Sequence, residues 1–132
     1  MTGINIQSPW SHLLVNKEKC VETRSYPLPE KYIGEELAII ETPGKSGDFK
    51  ARIIGTITFS HSFKYPNKQT WEDDYLRHLV KNNDNMFGWN EDKDKYGWVV
   101  SNVTKLDEPQ SAPEKKGIIF TLDCQVMIPS GV

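Results

Sequence analysis

The stretch SPWSHLLVNKEKCVETRSYPLP, residues 8–29, sets a short apolar segment directly before three charges and closes on a proline-flanked turn. Ser8 is a candidate N-cap, and Pro9 suits the first helical position, where its missing N–H has no partner to lose. Trp10, Leu13, Leu14 and Lys17 recur at helical spacing, which predicts a short helix with one apolar stripe and a lysine at its end. KCVETRS, residues 19–25, then reads as a strand running into a turn held by Pro27 and Pro29. Alternation puts Cys20, Glu22 and Arg24 on one side of that strand and Lys19, Val21 and Thr23 on the other. Glu22 and Arg24 would lie roughly 6–7 Å apart at their backbones, close enough to pair or to flank one ligand. Lys19 joins them only if the chain bends as it leaves the helix. Two readings stand side by side. A solvated strand face would carry a surface ion pair contributing about 0–1 kcal/mol. A cleft would make Lys19, Glu22 and Arg24 a site.

Outward from this stretch, ELAIIET (36–42) is a compact β-branched run expected as a buried strand closed by Pro43-Gly44. FKARIIGTITFSHS (49–62) alternates as a long strand, with Gly55 marking a bulge or a close backbone approach. TWEDDYLRHLVKN (70–82) predicts a helix whose start resembles a capping box, Thr70 with Asp73, and whose apolar stripe is Trp71, Tyr75 and Leu79. MFGW (86–89) and YGWVVSNVTKL (96–106), separated by NEDKDK, read as a hairpin, and DEPQSAPEKK (107–116) as a polar loop. GIIFTLDCQVMI (117–128) predicts a long final strand with Ile118, Phe120, Leu122, Cys124, Val126 and Ile128 on one face. Five or six strands and two helices without regular βαβ alternation predict an α+β fold: a small curled sheet or barrel with helices at its ends.

At 132 residues the chain is expected to form one domain, residues 1–132, with a core of its own. A net charge of −2 argues against a broad electrostatic footprint for duplex nucleic acid and leaves room for a local basic cleft. Cys20 and Cys124 form no CxxC pair, so neither a disulfide framework nor a structural zinc site is expected. The N-terminus lacks the charge and apolar pattern of a signal peptide, and no apolar run approaches the roughly 18 residues of a membrane helix. A cytoplasmic protein without membrane contact is the expectation.

Other constellations are weaker. Asp74 and His78 stand at i and i+4 on the predicted helix, where a carboxylate can orient an imidazole as a general base or simply form a surface pair. His12, His61 and His78 show no HxH or HExxH spacing, so no metal is expected, and no cofactor motif is present. The loop beginning at Asp92 puts Val103 where calcium binding would need an acid. Trp10, Trp71, Trp89 and Trp98 are many for this length. Aromatic faces near Lys and Arg suit base stacking with phosphate contact, and equally suit a small core.

Taken together, SPWSHLLVNKEKCVETRSYPLPEKYIGEELAII (8–40) resembles the opening of the ASCH domain, a branch of the PUA-like superfamily. That family's signature is G-x-K-x-x-E-x-R after a short helix carrying a P-W pair. Pro9-Trp10, Lys19, Glu22 and Arg24 match it, while Lys17 stands in place of the glycine. The resemblance implies a PUA-like pseudo-β-barrel whose cleft, between the first helix and the sheet, is lined by the motif residues. Its members are associated with RNA or nucleotide binding, and some are hydrolases, either amidohydrolases on acetylated cytidine or ribonucleases. In the amidohydrolase branch the motif lysine is catalytic and a threonine occupies the position of Glu22, so that activity is not carried over.

Three functions follow as expectations. In a module binding RNA, single-stranded nucleic acid or a nucleotide, Lys19 and Arg24 would hold a phosphate or carboxylate. Glu22 would accept from an amine, Trp10 or Trp98 would stack, and Ser25 would complete the lining. In a small hydrolase, Lys19 and Glu22 would be the catalytic pair, with Asp74 and His78 as secondary candidates. In a protein-interaction domain the charged strand would be structural only.

Overall fold

The computed structural model describes residues 1–44, 47–114 and 117–127. Its β-branched runs pair into one curled, mixed six-stranded sheet that forms a half-barrel. The strands are Gly3–Gln7 (β1), Val21–Arg24 (β2), Glu36–Thr42 (β3), Arg52–Lys64 (β4), Tyr96–Ser111 (β5) and Phe120–Thr121 (β6), in the spatial order β2-β5-β4-β3-β1-β6. Only β1 and β3 run parallel; the other neighbours are antiparallel. Three short helices, Trp10–Val15 (α1), Lys68–Asp73 (α2) and Tyr75–His78 (α3), complete the α+β architecture. None is long and apolar enough to cross a membrane.

The main core lies on one face of the sheet: Ile4, Ile6, Leu37, Ile39, Ile57, Phe59 and Trp98 meet Leu14 and Val15 of α1. A smaller cluster of Ala38, Ile40, Ile53, Leu106 and Cys124 covers the opposite face. Strict alternation along β4 cannot supply both, because Ile54 and Ile57 share the first core although their spacing is odd. The register slips between Ile53 and Gly55, so a bulge resets the phase. Gly55 is required there for a second reason. A Cβ on it would stand 2.5 Å from the Thr104 carbonyl oxygen and 2.6 Å from Val15 Cγ2.

Several expectations are corrected. Helix α1 begins at Trp10 with Pro9 at the cap position and no side-chain cap, so Ser8 does not serve as one. The helix expected over 70–82 starts earlier, capped by Asn67, whose Oδ1 accepts from the Thr70 amide at 2.8 Å, and it breaks at Asp74. The Trp71 carbonyl, which an unbroken helix would offer to Tyr75, accepts instead from the Asp74 amide and from His78 Nε2. Of the expected stripe only Trp71 is buried; Tyr75 is exposed, and His78 and Val80 pack inward. MFGW is not a hairpin strand. Asp84 Oδ1 accepts from the Met86 and Phe87 amides and folds it into turns, leaving β5 to pair with β2 and β4.

Strand β5 continues through Asp107–Ser111, expected as loop, because Gln110 and Ser111 pair with Ile53 and Arg52 of β4, while β2 pairs only with Tyr96–Val99. That leaves a free edge beyond Val99, where Pro109 has no ladder donor to lose. Strand β6 is two residues rather than twelve: Asp123 adopts a left-handed backbone (φ 59°) and ends the extension. Ile118 and Leu122 are exposed, Cys124 packs inward, and Ile128 lies outside the described residues.

Replacing Gly55 by alanine is expected to lower the unfolding free energy by about 1–3 kcal/mol, the cost of overpacking a fixed interior. Urea denaturation of the two proteins checks this, and an unchanged midpoint would refute the close approach.

Candidate functional site

Between α1, β2 and the segment following α3 lies a cavity of about 450 Å³. Trp10, Lys19, Glu22, Arg24 and Ser25 all line it, so the structure brings together five of the residues expected at the site. The bend that Lys19 needed is present. After α1 the amides of Lys17, Glu18 and Lys19 fold back onto the carbonyls of Leu14 and Leu13, and Lys17 takes a left-handed backbone (φ 64°). This is the position where the signature has glycine, the residue that adopts such a φ at least cost. The turn swings Lys19 onto the face of Glu22.

Lys19 is 1% exposed, which is extreme for an ammonium group. Its Nζ donates to the His78 carbonyl, lies 3.7 Å from Glu22 Oε1 and sits 5.1 Å from the Trp10 ring centroid. Burial pushes its pKa below the ordinary lysine value, and Glu22 pulls the other way. The other oxygen of Glu22 accepts from Arg24 Nη2 at 3.0 Å and Nε at 3.3 Å. Arg24 also donates to the Asn5 carbonyl at 3.0 Å and to the Tyr26 hydroxyl at 3.2 Å. Burial works against its charge, but Glu22 and Tyr26 outweigh it and hold the guanidinium above the usual arginine value. One buried carboxylate thus serves two cations.

Trp98, expected as a stacking surface, is wholly buried. Its Nε1 donates to the Tyr26 carbonyl at 3.0 Å, and its ring lies 5.5 Å beneath the Arg24 guanidinium. It reaches a ligand only through Arg24. Trp10 remains half-buried on the cavity wall, edge-on to Phe87.

The side chains of Asp74 and His78 do not hydrogen-bond to each other; only the His78 amide donates to the Asp74 carbonyl, at 3.3 Å. Asp74 accepts from Tyr65 at 2.5 Å and from Arg77 at 2.6 Å; burial raises its pKa, but these bonds hold it below the ordinary value. His78 is fully buried and stacked on Trp71, with Nε2 donating to the Trp71 carbonyl at 2.7 Å. Its Nδ1 accepts from the Val80 amide at 2.9 Å, which sets the neutral tautomer. Burial lowers its pKa, and neighbouring Lys19 adds to the effect. The ring therefore works as a brace that aims the His78 carbonyl at Lys19. Among the described residues no cluster of His, Cys, Asp or Glu could hold a metal.

Sequence reasoning missed Lys95. It lines the same cavity, half-buried, with Nζ donating to the Phe87 carbonyl at 2.8 Å and lying 5.1 Å from the Trp71 ring centroid. Burial, with help from Lys19, pushes its pKa down from 10.5 to about 8. Nothing in the charged run NEDKDK sets this lysine apart, because its burial comes from packing against Trp71. Asn5 and Gln7 also line the cavity; their alternation with buried Ile4 and Ile6 was the available signal.

The architecture has known counterparts. The crystal structure of an ASCH protein from Zymomonas mobilis superimposes with a TM-score of 0.64 at 14% identity, over 83% of this chain and 71% of that one. Two single-substitution variants of the Zymomonas mobilis protein give TM-scores of 0.63 and 0.58, also at 14% identity. They cover 82% of this chain and 73% and 71% of theirs. No protein-family model and no curated protein sequence matches the chain. The chain thus shares the fold of this ASCH protein, an α+β pseudo-barrel.

Between about pH 8 and 10.5 the unfolded chain keeps a proton on Lys95 that the folded chain has released. The unfolding free energy contributed by this group therefore rises with pH across that window and is flat below it. Urea midpoints taken from about pH 7.5 to about pH 10 should rise more steeply for the wild type than for Lys95→Gln. Parallel curves would contradict the assignment.

Proposed function

We propose that this cavity binds RNA as a single strand, or a nucleotide. The observation that carries the reading is the convergence of Lys19, Glu22 and Arg24 with the half-buried Trp10 around a concave space of about 450 Å³. That size falls within the usual range of small-molecule sites, roughly 300–1,000 Å³. A base needs an aromatic surface and polar partners for its edge, and Trp10 and Glu22 are of those types. Arg24 carries a fork of donors that matches phosphate or carboxylate oxygens. The buried polar groups already satisfy one another in the empty cavity, so a ligand meets a preformed site.

A second concavity of about 560 Å³ shares Gln7, Trp10, Met86 and Phe87 with the first. Shared walls favour a ligand that continues past one nucleotide, as a single strand does. The net charge of −2 fits a short strand better than a duplex, which calls for a broad basic face. The fold of the Zymomonas mobilis protein, at 14% identity, adds a precedent for the architecture alone.

Fluorescence anisotropy with a labelled single-stranded RNA of random sequence tests the reading. Arg24→Ala and Trp10→Ala are each expected to weaken binding by about tenfold, the scale of one charged hydrogen bond or one stacked base. Undiminished affinity in both variants, with folding verified by circular dichroism, would overturn it.

A further inference from the structure

We propose that Lys95 forms an anion subsite of this cavity, the seat of a phosphate group on the ligand. The inference rests on the reading of the cavity as a nucleotide site and assigns its phosphate a residue outside the Lys19, Glu22 and Arg24 cluster.

Lys19, Arg24, Lys93 and Lys95 line the cavity, against Glu22 and Asp94 as the carboxylates. Glu22 is already engaged with Lys19 and Arg24, and Asp94 with Lys64 at 3.2 Å. Among the described residues Lys95 has no carboxylate within ion-pair distance. Asp84 acts on it only at longer range, with one of its oxygens taken by the Met86 and Phe87 amides. Lys95 is thus a half-buried cation facing a cavity already richer in positive than in negative charge.

An ammonium offers three N–H donors, and the Phe87 carbonyl accounts for one of Lys95's. Phe87 also stands against Trp10, whose ring holds Lys19. This chain of contacts places Lys95 on the wall adjoining the stacking surface, where the phosphate of a stacked nucleotide is within reach of a flexible lysine. Burial and Lys19 lower the pKa of Lys95 to about 8, and a bound anion raises it again, so binding and protonation reinforce each other. The charged groups that act on Lys95 are Lys19, which lowers its pKa, and Asp84, which raises it to a smaller extent.

Isothermal titration calorimetry on the full chain would compare the four ribonucleoside 5′-monophosphates, the four nucleosides and inorganic phosphate. The wild type is expected to bind at least one monophosphate about tenfold or more tightly than its nucleoside, the scale of a charged hydrogen bond. Lys95→Gln should erase that advantage and leave the nucleoside affinity unchanged. Lys95→Arg should retain it, and also serves should the Gln variant fail to fold. Monophosphate affinity should fall about tenfold between pH 7 and pH 9 in the wild type, as the charged fraction of a group titrating near 8 falls. It should stay level in Lys95→Arg.

An unchanged monophosphate affinity in Lys95→Gln, or an equal loss for nucleoside and monophosphate, overturns the subsite while leaving the nucleotide reading in place. Inorganic phosphate bound through Lys95 with no nucleoside or monophosphate bound upholds the subsite and overturns the nucleotide reading. Binding of none of the three overturns both.

Discussion

A single ammonium group removed from water organises this molecule. Lys19 is 1% exposed, and an unpartnered charge in that position would cost several kcal/mol. Three separate parts of the chain supply what it needs: Glu22 from β2, the His78 carbonyl from the end of α3, and the Trp10 ring from α1. Other features follow from holding these in place. Lys17 turns left-handed so that Lys19 enters the cavity. His78 is locked between Trp71 and Val80 so that its carbonyl points inward, and Leu79 takes a left-handed backbone as the chain leaves. Arg24 shares the carboxylate and is backed by the fully buried Trp98.

This arrangement gives the segment between β4 and β5 a purpose beyond linking two strands. It carries the acceptor for Lys19, and through Val80, Met86, Phe87 and Lys95 it supplies a wall of the cavity. Its own small core of Tyr65, Trp71 and Val80 keeps that wall in position. The half-barrel provides the floor.

The central strands were legible because their patterns were long and their burial two-sided. ELAIIET coincides with β3, Glu36–Thr42, and Gly55 marks both a bulge and a close approach. The cluster of Lys19, Glu22 and Arg24 was also legible, subject to a bend whose cause, the turn at Lys17, is a backbone property. What failed was decided by side chains competing for backbone groups. His78 and Asp74 break a helix that periodicity reads as continuous, and Asp84 folds MFGW into turns. The final apolar alternation ends at a left-handed Asp123, a position where apolar spacing says nothing. Lys95 was invisible because its environment comes from Trp71, distant in sequence and adjacent in space.

The central claim, that the buried pair of Lys19 and Glu22 holds the cavity together, is tested most directly by a double-mutant cycle in urea. Glu22→Gln, Lys19→Met and the two combined would be compared with the wild type. Glu22→Gln alone leaves two cations facing each other and should cost about 3 kcal/mol or more, the scale of breaking a buried pair. The account predicts that the double variant is destabilised by less than the sum of the singles, with a coupling of about 1–3 kcal/mol. Additivity within about 0.5 kcal/mol would contradict it.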